Sequence, residues 1–183
     1  MPNKNGLILI TPTSATATGT GSTATISANG SVSFSSCATL SLNGVFSADY
    51  DNYMIVKRDK SDTGNNAIYV RLRLSGTDAT GANYNHQYIA ANGTTASGLG
   101  TTSDTFCRFG NTDTLESGDV AVVYGPALSQ PTAFRNTSVG GFSSAVIVDF
   151  SSTHSLSTSY DGITIYPVSG NFTGRIAVYG MRK

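Results

Sequence analysis

Tryptophan is absent, glutamate occurs once and lysine only four times in 183 residues. Glu and Lys fill exposed helix faces with little loss of rotamer freedom, so their scarcity argues against surface helices. Cysteine occurs twice, at Cys37 and Cys107, too few for a disulfide scaffold; two reduced, partly buried thiols are expected. No basic block stands out among the 11 acidic and 11 basic side chains, whose formal sum is zero. A chain that cannot neutralise several phosphates is not expected to bind nucleic acid. Long apolar runs are missing as well. Leu7 to Ile10 supplies four apolar residues near the N-terminus, whereas a signal-peptide core needs about 7–15 and a membrane span about 20. Neither export nor membrane insertion is expected, and the chain is expected to fold in a cytoplasm. The sequons at Asn29, Asn92, Asn136 and Asn171 then read as chance products of Ser/Thr-rich loops.

What the chain does contain is 68 serines, threonines and glycines, and short runs of Val, Ile, Tyr and Phe cut by Gly, Asn and Asp. That is the composition of strands and tight turns. A single domain of this length buries enough surface for a core without staples. Little net charge also means little self-repulsion, which suits association.

Residues 1–38 stand apart. Leu7-Ile8-Leu9-Ile10 leads into Thr11-Pro12 and then a stretch of Ser, Thr, Ala and Gly. Such low complexity reads either as disorder or as an extended segment docked on a partner, since Leu7 to Ile10 is otherwise a sticky edge. Asn29-Gly30, between Thr23–Ala28 and Ser31–Phe34, is a strong hairpin signal because a type I′ turn needs positive φ at both central residues. An extended N-terminal arm carrying a small hairpin is expected over 1–38.

From residue 39 to 183 the pattern is that of a sheet domain. Ile68, Val70, Leu72 and Leu74 alternate with Tyr69, Arg71 and Arg73, and Tyr53-Met54-Ile55-Val56 reads as a fully buried strand. Further strands are expected at Tyr84–Ala90, Thr105–Phe109, Val120–Tyr124, Ala133–Ser138, Ser144–Phe150, Gly162–Tyr166 and Arg175–Tyr179. About nine short antiparallel strands separated by Gly- and Ser-rich breaks fit an all-β sandwich of jelly-roll type. Tyr50-Asp51-Asn52 and Tyr160-Asp161-Gly162 each launch a strand in similar fashion, as two strands entering one core do.

Catalytic and metal patterns are not found. Asp59 to Asn66 gathers oxygen donors around Gly64 but lacks the bidentate Glu of a strong calcium loop, so a solvated hairpin loop is expected. His86 and His154 have no second ligand at metal spacing. No G-x-S-x-G, phosphate-binding glycine loop or selected carboxylate pair is present. No enzyme activity, cofactor or metal is expected. Tyr84, His86 and Tyr88 form a candidate polar recognition surface, with an ordinary exposed strand face as the alternative. Without Trp the best platform for a pyranose ring is missing, yet nine Tyr leave a glycan contact open.

The C-terminal run Ser169-Gly170-Asn171-Phe172-Thr173-Gly174-Arg175-Ile176-Ala177-Val178-Tyr179-Gly180 resembles the ending of many tailed-bacteriophage virion proteins, where such a turn feeds a strand closing on Val-Tyr-Gly. Leu40 to Ser47, Tyr50 to Tyr53 and Ile68 to Leu74 are similar to other strands of that group. The resemblance spans roughly residues 40–183 and implies a jelly-roll virion structural protein, usually trimeric, without assigning site residues. No shaft of repeats precedes the sheet domain, so a small capsid decoration (cement) protein is expected. It would bind the major capsid protein shell as a homotrimer on the capsid exterior, through Leu7, Ile8, Leu9 and Ile10 together with a sheet face. The alternative is the head of a tail fibre or a head knob touching a host-surface glycan.

Overall fold

A computed structural model describes residues 6–140 and 146–182. Sixteen strands and no helix are found among them. In chain order they are β1 (Leu7–Ile10), β2 (Ser14–Thr18), β3 (Thr23–Ile26), β4 (Val32–Cys37), β5 (Thr39–Asn43) and β6 (Asn52–Ser61). There follow β7 (Asn66–Leu74), β8 (Thr77–Asp78), β9 (Tyr84–Asn92), β10 (Thr95–Asp104) and β11 (Cys107–Thr112). The remainder are β12 (Ser117–Tyr124), β13 (Thr132–Gly140), β14 (Val146–His154), β15 (Gly162–Pro167) and β16 (Phe172–Met181).

They form an all-β antiparallel sandwich, jelly-roll-like in that the chain crosses repeatedly between its two layers. The larger sheet has ten strands in the order β10-β9-β14-β13-β12-β6-β16-β4-β3, with β1 also on β16. The smaller has six, in the order β11-β7-β15-β5-β2, with β8 on β7. Between them lies one core. Leu40, Leu42, Ile68, Val70, Leu72, Ile163 and Ile165 from the smaller sheet meet Tyr53, Ile55, Ala121, Val123, Phe134 and Val178 from the larger. The alternation read at Ile68, Val70 and Leu72 points these side chains into the core, leaving Tyr69, Arg71 and Arg73 half-buried on the other face. The two Tyr-Asp launches open β6 and β15, one in each sheet.

Extended backbone and a small hairpin make up the N-terminal segment, as the sequence suggests. β3 and β4 pair across Asn29-Gly30, whose Gly30 has φ of 93°. Asn29 Oδ1 accepts hydrogen bonds from the Ser31 amide (3.1 Å) and hydroxyl (2.9 Å), which locks the turn. The segment lies along the chain's own sheets. β1 and β4 sit one after the other along the same edge of β16, and β2 pairs with β5. Ala15 and Ala17 of β2 and Ile10 of β1 pack against the core. At Ala38 the chain passes from β4 in the larger sheet to β5 in the smaller. The strand expected at Ser144–Phe150 begins at Val146 among the described residues; Ser144 and Ala145 lie outside them.

Tyr53 fixes how β6 enters. Its hydroxyl donates to the Ser47 carbonyl (2.7 Å) and accepts from the Ser47 amide (2.7 Å), tying down the exposed turn that follows buried Val45 and Phe46. Tyr53→Phe removes both bonds at an exposed residue and is expected to cost about 0.5–1.5 kcal/mol. A urea titration reads this as a lower midpoint; an unchanged midpoint argues against the role.

Candidate functional site

The outer face of the ten-stranded sheet is the largest uncovered surface that the topology creates. On β6 the residues pointing away from the core are Met54, Val56, Arg58 and Lys60. Register places apolar partners beside them. Val56 stands opposite Val120 of β12 and Ala177 of β16, and Met54 opposite Val122 and Tyr179. Tyr179 in turn faces Leu9 of β1. Farther along the sheet Val139 opposes Ile147. Val120, Val139, Ile147 and Ile89 are 47, 50, 57 and 63 % exposed. Single exposed apolar residues are ordinary on a protein surface, whereas a contiguous set marks an interaction site. A hollow of about 620 Å³ opens in this face, with Leu9, Val56, Ala177 and Tyr179 on its apolar side and Arg58, Glu116 and Arg175 on its polar side. Arg58 and Glu116 pair at 3.1 Å in solvent, and such exposed pairs add little to stability.

Two expected sites fall differently. Leu7, Ile8, Leu9 and Ile10 form β1, hydrogen-bonded to Met181, Gly180, Tyr179 and Val178. Leu7 and Leu9 share the outer face with Met181 and Tyr179, while Ile8 and Ile10 take the inner side. Only the first two therefore belong to the exposed face. The candidate recognition surface of Tyr84, His86 and Tyr88 is corrected by the structure. The strand period turns these three towards the opposite sheet, leaving Gln87 and Ile89 exposed. Tyr84 is fully buried; its hydroxyl donates to the Ala79 carbonyl (2.9 Å) and accepts from the Leu72 amide (3.1 Å). His86 is buried and stacks on Phe106, and Tyr88 lies under the Arg108 guanidinium, 4.4 Å from its ring centre.

Inside the sandwich lies a charged cluster that sequence reasoning missed. Lys57, Asp59 and Asp119 sit on the inner faces of β6 and β12, and all three side chains are fully buried. The Lys57 Nζ is 2.5 Å from Asp59 Oδ1 and 2.6 Å from Asp119 Oδ2. Lys57 and Asp119 are direct cross-strand partners. β11 closes over them. A side chain at Gly110 would collide with the Asp119 carboxylate, so only glycine lets the strand approach this near. Asn136 donates through Nδ2 to the Phe109 carbonyl, and the Asn111 amide donates to the Ser138 hydroxyl at 3.1 Å. Burial pushes the Asp119 carboxyl up, against the pull of Lys57. For Lys57 burial acts downward, but Asp119 and Asp59 outweigh it and hold the ammonium above its ordinary range. Two carboxyls sharing one ammonium are most easily accommodated with one of them protonated.

The hairpin loop expected over Asp59–Asn66 is shorter: only residues 62–65 connect β6 to β7. Asp59 faces inward to Lys57, and Asp62 accepts from the Asn171 amide (2.8 Å) and side chain (3.0 Å). Among the described residues no group of three His, Cys, Asp or Glu is arranged to hold a metal. Cys37 and Cys107 are free and buried, and burial raises both thiols.

His154 is completely buried between the rings of Tyr84 (4.4 Å between centres) and Tyr160 (5.2 Å), and burial lowers its pKa. The unfolded chain therefore binds this proton more readily. The resulting stability is complete above about pH 6.5 and is lost as pH falls through that value towards the depressed native one. His154→Phe is expected to flatten this acid-side slope. Urea midpoints compared at neutral and mildly acidic pH check it; an unaltered slope counts against the assignment.

No family model and no curated protein matches the chain. Among solved structures the SPRY domain of human HERC1 is similar at 8 % sequence identity and a TM-score of 0.29, over 92 % of this chain and 99 % of that one, a likeness too slight to bear on function.

Proposed function

We propose that the chain is a virion structural protein of tailed-phage type, a capsid decoration protein that binds the major capsid protein shell as a homotrimer and stabilises the head. Its role is adhesive rather than catalytic. The observation that carries this reading is the outer face of the ten-stranded sheet, where two cross-strand apolar pairs, Val56–Val120 and Val139–Ile147, stand exposed. Burying such a face gains roughly 25 cal/mol per Å² of apolar surface before association costs, repeated over every copy on the shell. The resemblance of Ser169 to Gly180 to phage virion endings points the same way.

Purified protein mixed with empty heads tests the reading. It is expected to sediment as a trimer when free and to travel with the shells at a copy number comparable to the capsid subunit. A monomer that leaves heads untouched overturns it. A receptor-binding head draws support from a second hollow of about 290 Å³, where Gln87, Arg135, Asp149 and Ser151 offer donors and acceptors suited to a neutral glycan. Blocking of phage adsorption by the free protein, without shell binding, selects that alternative.

A further inference from the structure

We propose that Lys57 and Asp119 close spontaneously into an intramolecular amide across β6 and β12, with Asp59 carrying the proton. The inference is independent of what the outer face binds. It rests on the placement of the three groups. An amine nitrogen lies 2.6 Å from one carboxyl and 2.5 Å from a second, in a site with no solvent exposure. The first carboxyl belongs to the residue directly opposite in the antiparallel register, so the bond requires no change of pairing. Lys57 meets Asp59 through Oδ1, the oxygen that would take its proton, while Asp59 Oδ2 and Asp119 Oδ1 have no hydrogen-bond partner among the described residues. Gly110 and the Asn136 bond to β11 hold the cover shut, which excludes competing water.

The step balances without any other reagent. Asp59, as carboxylate, takes a proton from the Lys57 ammonium, and the neutral Nζ attacks Cγ of the protonated Asp119 carboxyl. A C–N bond forms, a C–O bond breaks and the hydroxyl departs as water with the second nitrogen proton. Asp59 ends protonated, so a cluster that began with one positive and one negative charge ends with none. Burial favours the uncharged Asp119 that the attack needs. Asp119 and Asp59 hold the Lys57 ammonium above its ordinary range, so the proton must be drawn off by direct contact with Asp59. Removal of a buried ion pair supplies part of the drive, since desolvated charges are costly to keep. Holding amine and carboxyl in contact supplies the rest of the rate, as in other intramolecular reactions of fixed geometry.

Intact mass measured on the denatured full-length protein decides the matter. The expected mass is one water below that of the sequence, and protease digestion is expected to release the Lys57 and Asp119 peptides joined. Asp119→Ala and Asp59→Asn are expected at full mass, with β-rich circular dichroism showing that they fold. Parent protein at full sequence mass overturns the proposal whether or not the variants fold. So does a water loss mapped to another pair, and Asp59→Asn closing as completely as the parent removes the proton-carrying role.

Discussion

Lys57→Met lowers the stability of the sandwich by about 3–5 kcal/mol, the range expected when one partner of a buried ionic group is removed. The reason is what remains. Asp59 and Asp119 stay fully buried beneath β11 without the Lys57 amine, which pairs with them as an ion and, once the proposed amide closes, is bonded to Asp119. Each carboxylate must then be protonated or repelled, and neither has water within reach. Methionine retains much of the lysine stem's bulk, so the loss is electrostatic rather than a cavity. A second variant separates the two. Lys57→Met combined with Asp59→Leu and Asp119→Leu removes every charge and is expected to recover much of what the single change lost, because an apolar replacement of a buried ionic cluster is often neutral or better. Urea unfolding of both variants gives the comparison. A single variant as stable as the parent, or a triple variant worse than the single, contradicts this account.

Val120→Asp is expected to leave the fold intact and to weaken the assembly proposed above. Val120 is 47 % exposed in the middle of the outer face, with Val56 opposite on β6 and Thr137 on β13. Solvent-facing substitutions of this kind usually shift stability by within about 0.5 kcal/mol. In an interface the same carboxylate would be desolvated against apolar partners, and central positions of this type are worth about 2 kcal/mol or more. Self-association and shell binding are therefore expected to weaken by at least about 30-fold. Sedimentation of the variant, alone and with empty heads, reads both effects. A Lys60→Asp control on the neighbouring strand β6, at the charged end of the face, is expected to change little. Undiminished binding by Val120→Asp moves the interface elsewhere on the molecule.

Much of the architecture was legible because its inner strands follow simple periods. Ile68, Val70 and Leu72 announce β7, and Asn29-Gly30 announces the β3–β4 hairpin. Strands whose apolar side is built from alanine or glycine left no such trace. β2 alternates Ala15 and Ala17 with Ser and Thr, too faint a contrast to separate it from a disordered stretch, and only pairing with β5 and the core gives it shape. β10 has Leu99 as its one large apolar residue, and it exists because β9 offers a free edge. Tyr84, His86 and Tyr88 were read from polarity, and the phase of the strand turned them inward. Lys57 and Asp119 carry no motif signal in the sequence, and Asp59 reads there as part of a solvated loop, because charged residues in a strand ordinarily mark its wet side. Alternation did hold a clue, since Lys57 and Asp59 continue the inward phase set by Tyr53 and Ile55.

The placement of β16 has a consequence for biosynthesis. Its inner neighbour is β6, and along its other edge lie β4 and β1, made at the opposite extreme of the chain. Until residues 172–181 leave the ribosome, the ten-stranded sheet remains three separate pieces: the strands from β10 to β6, the β3–β4 hairpin, and β1. Closure then joins segments more than a hundred residues apart, a slow kind of step because loop entropy must be lost before contacts compensate. A nascent chain halted before residue 172 therefore presents the raw edge of β6, with its unpaired amides and carbonyls, to whatever chaperone or sibling chain is nearby.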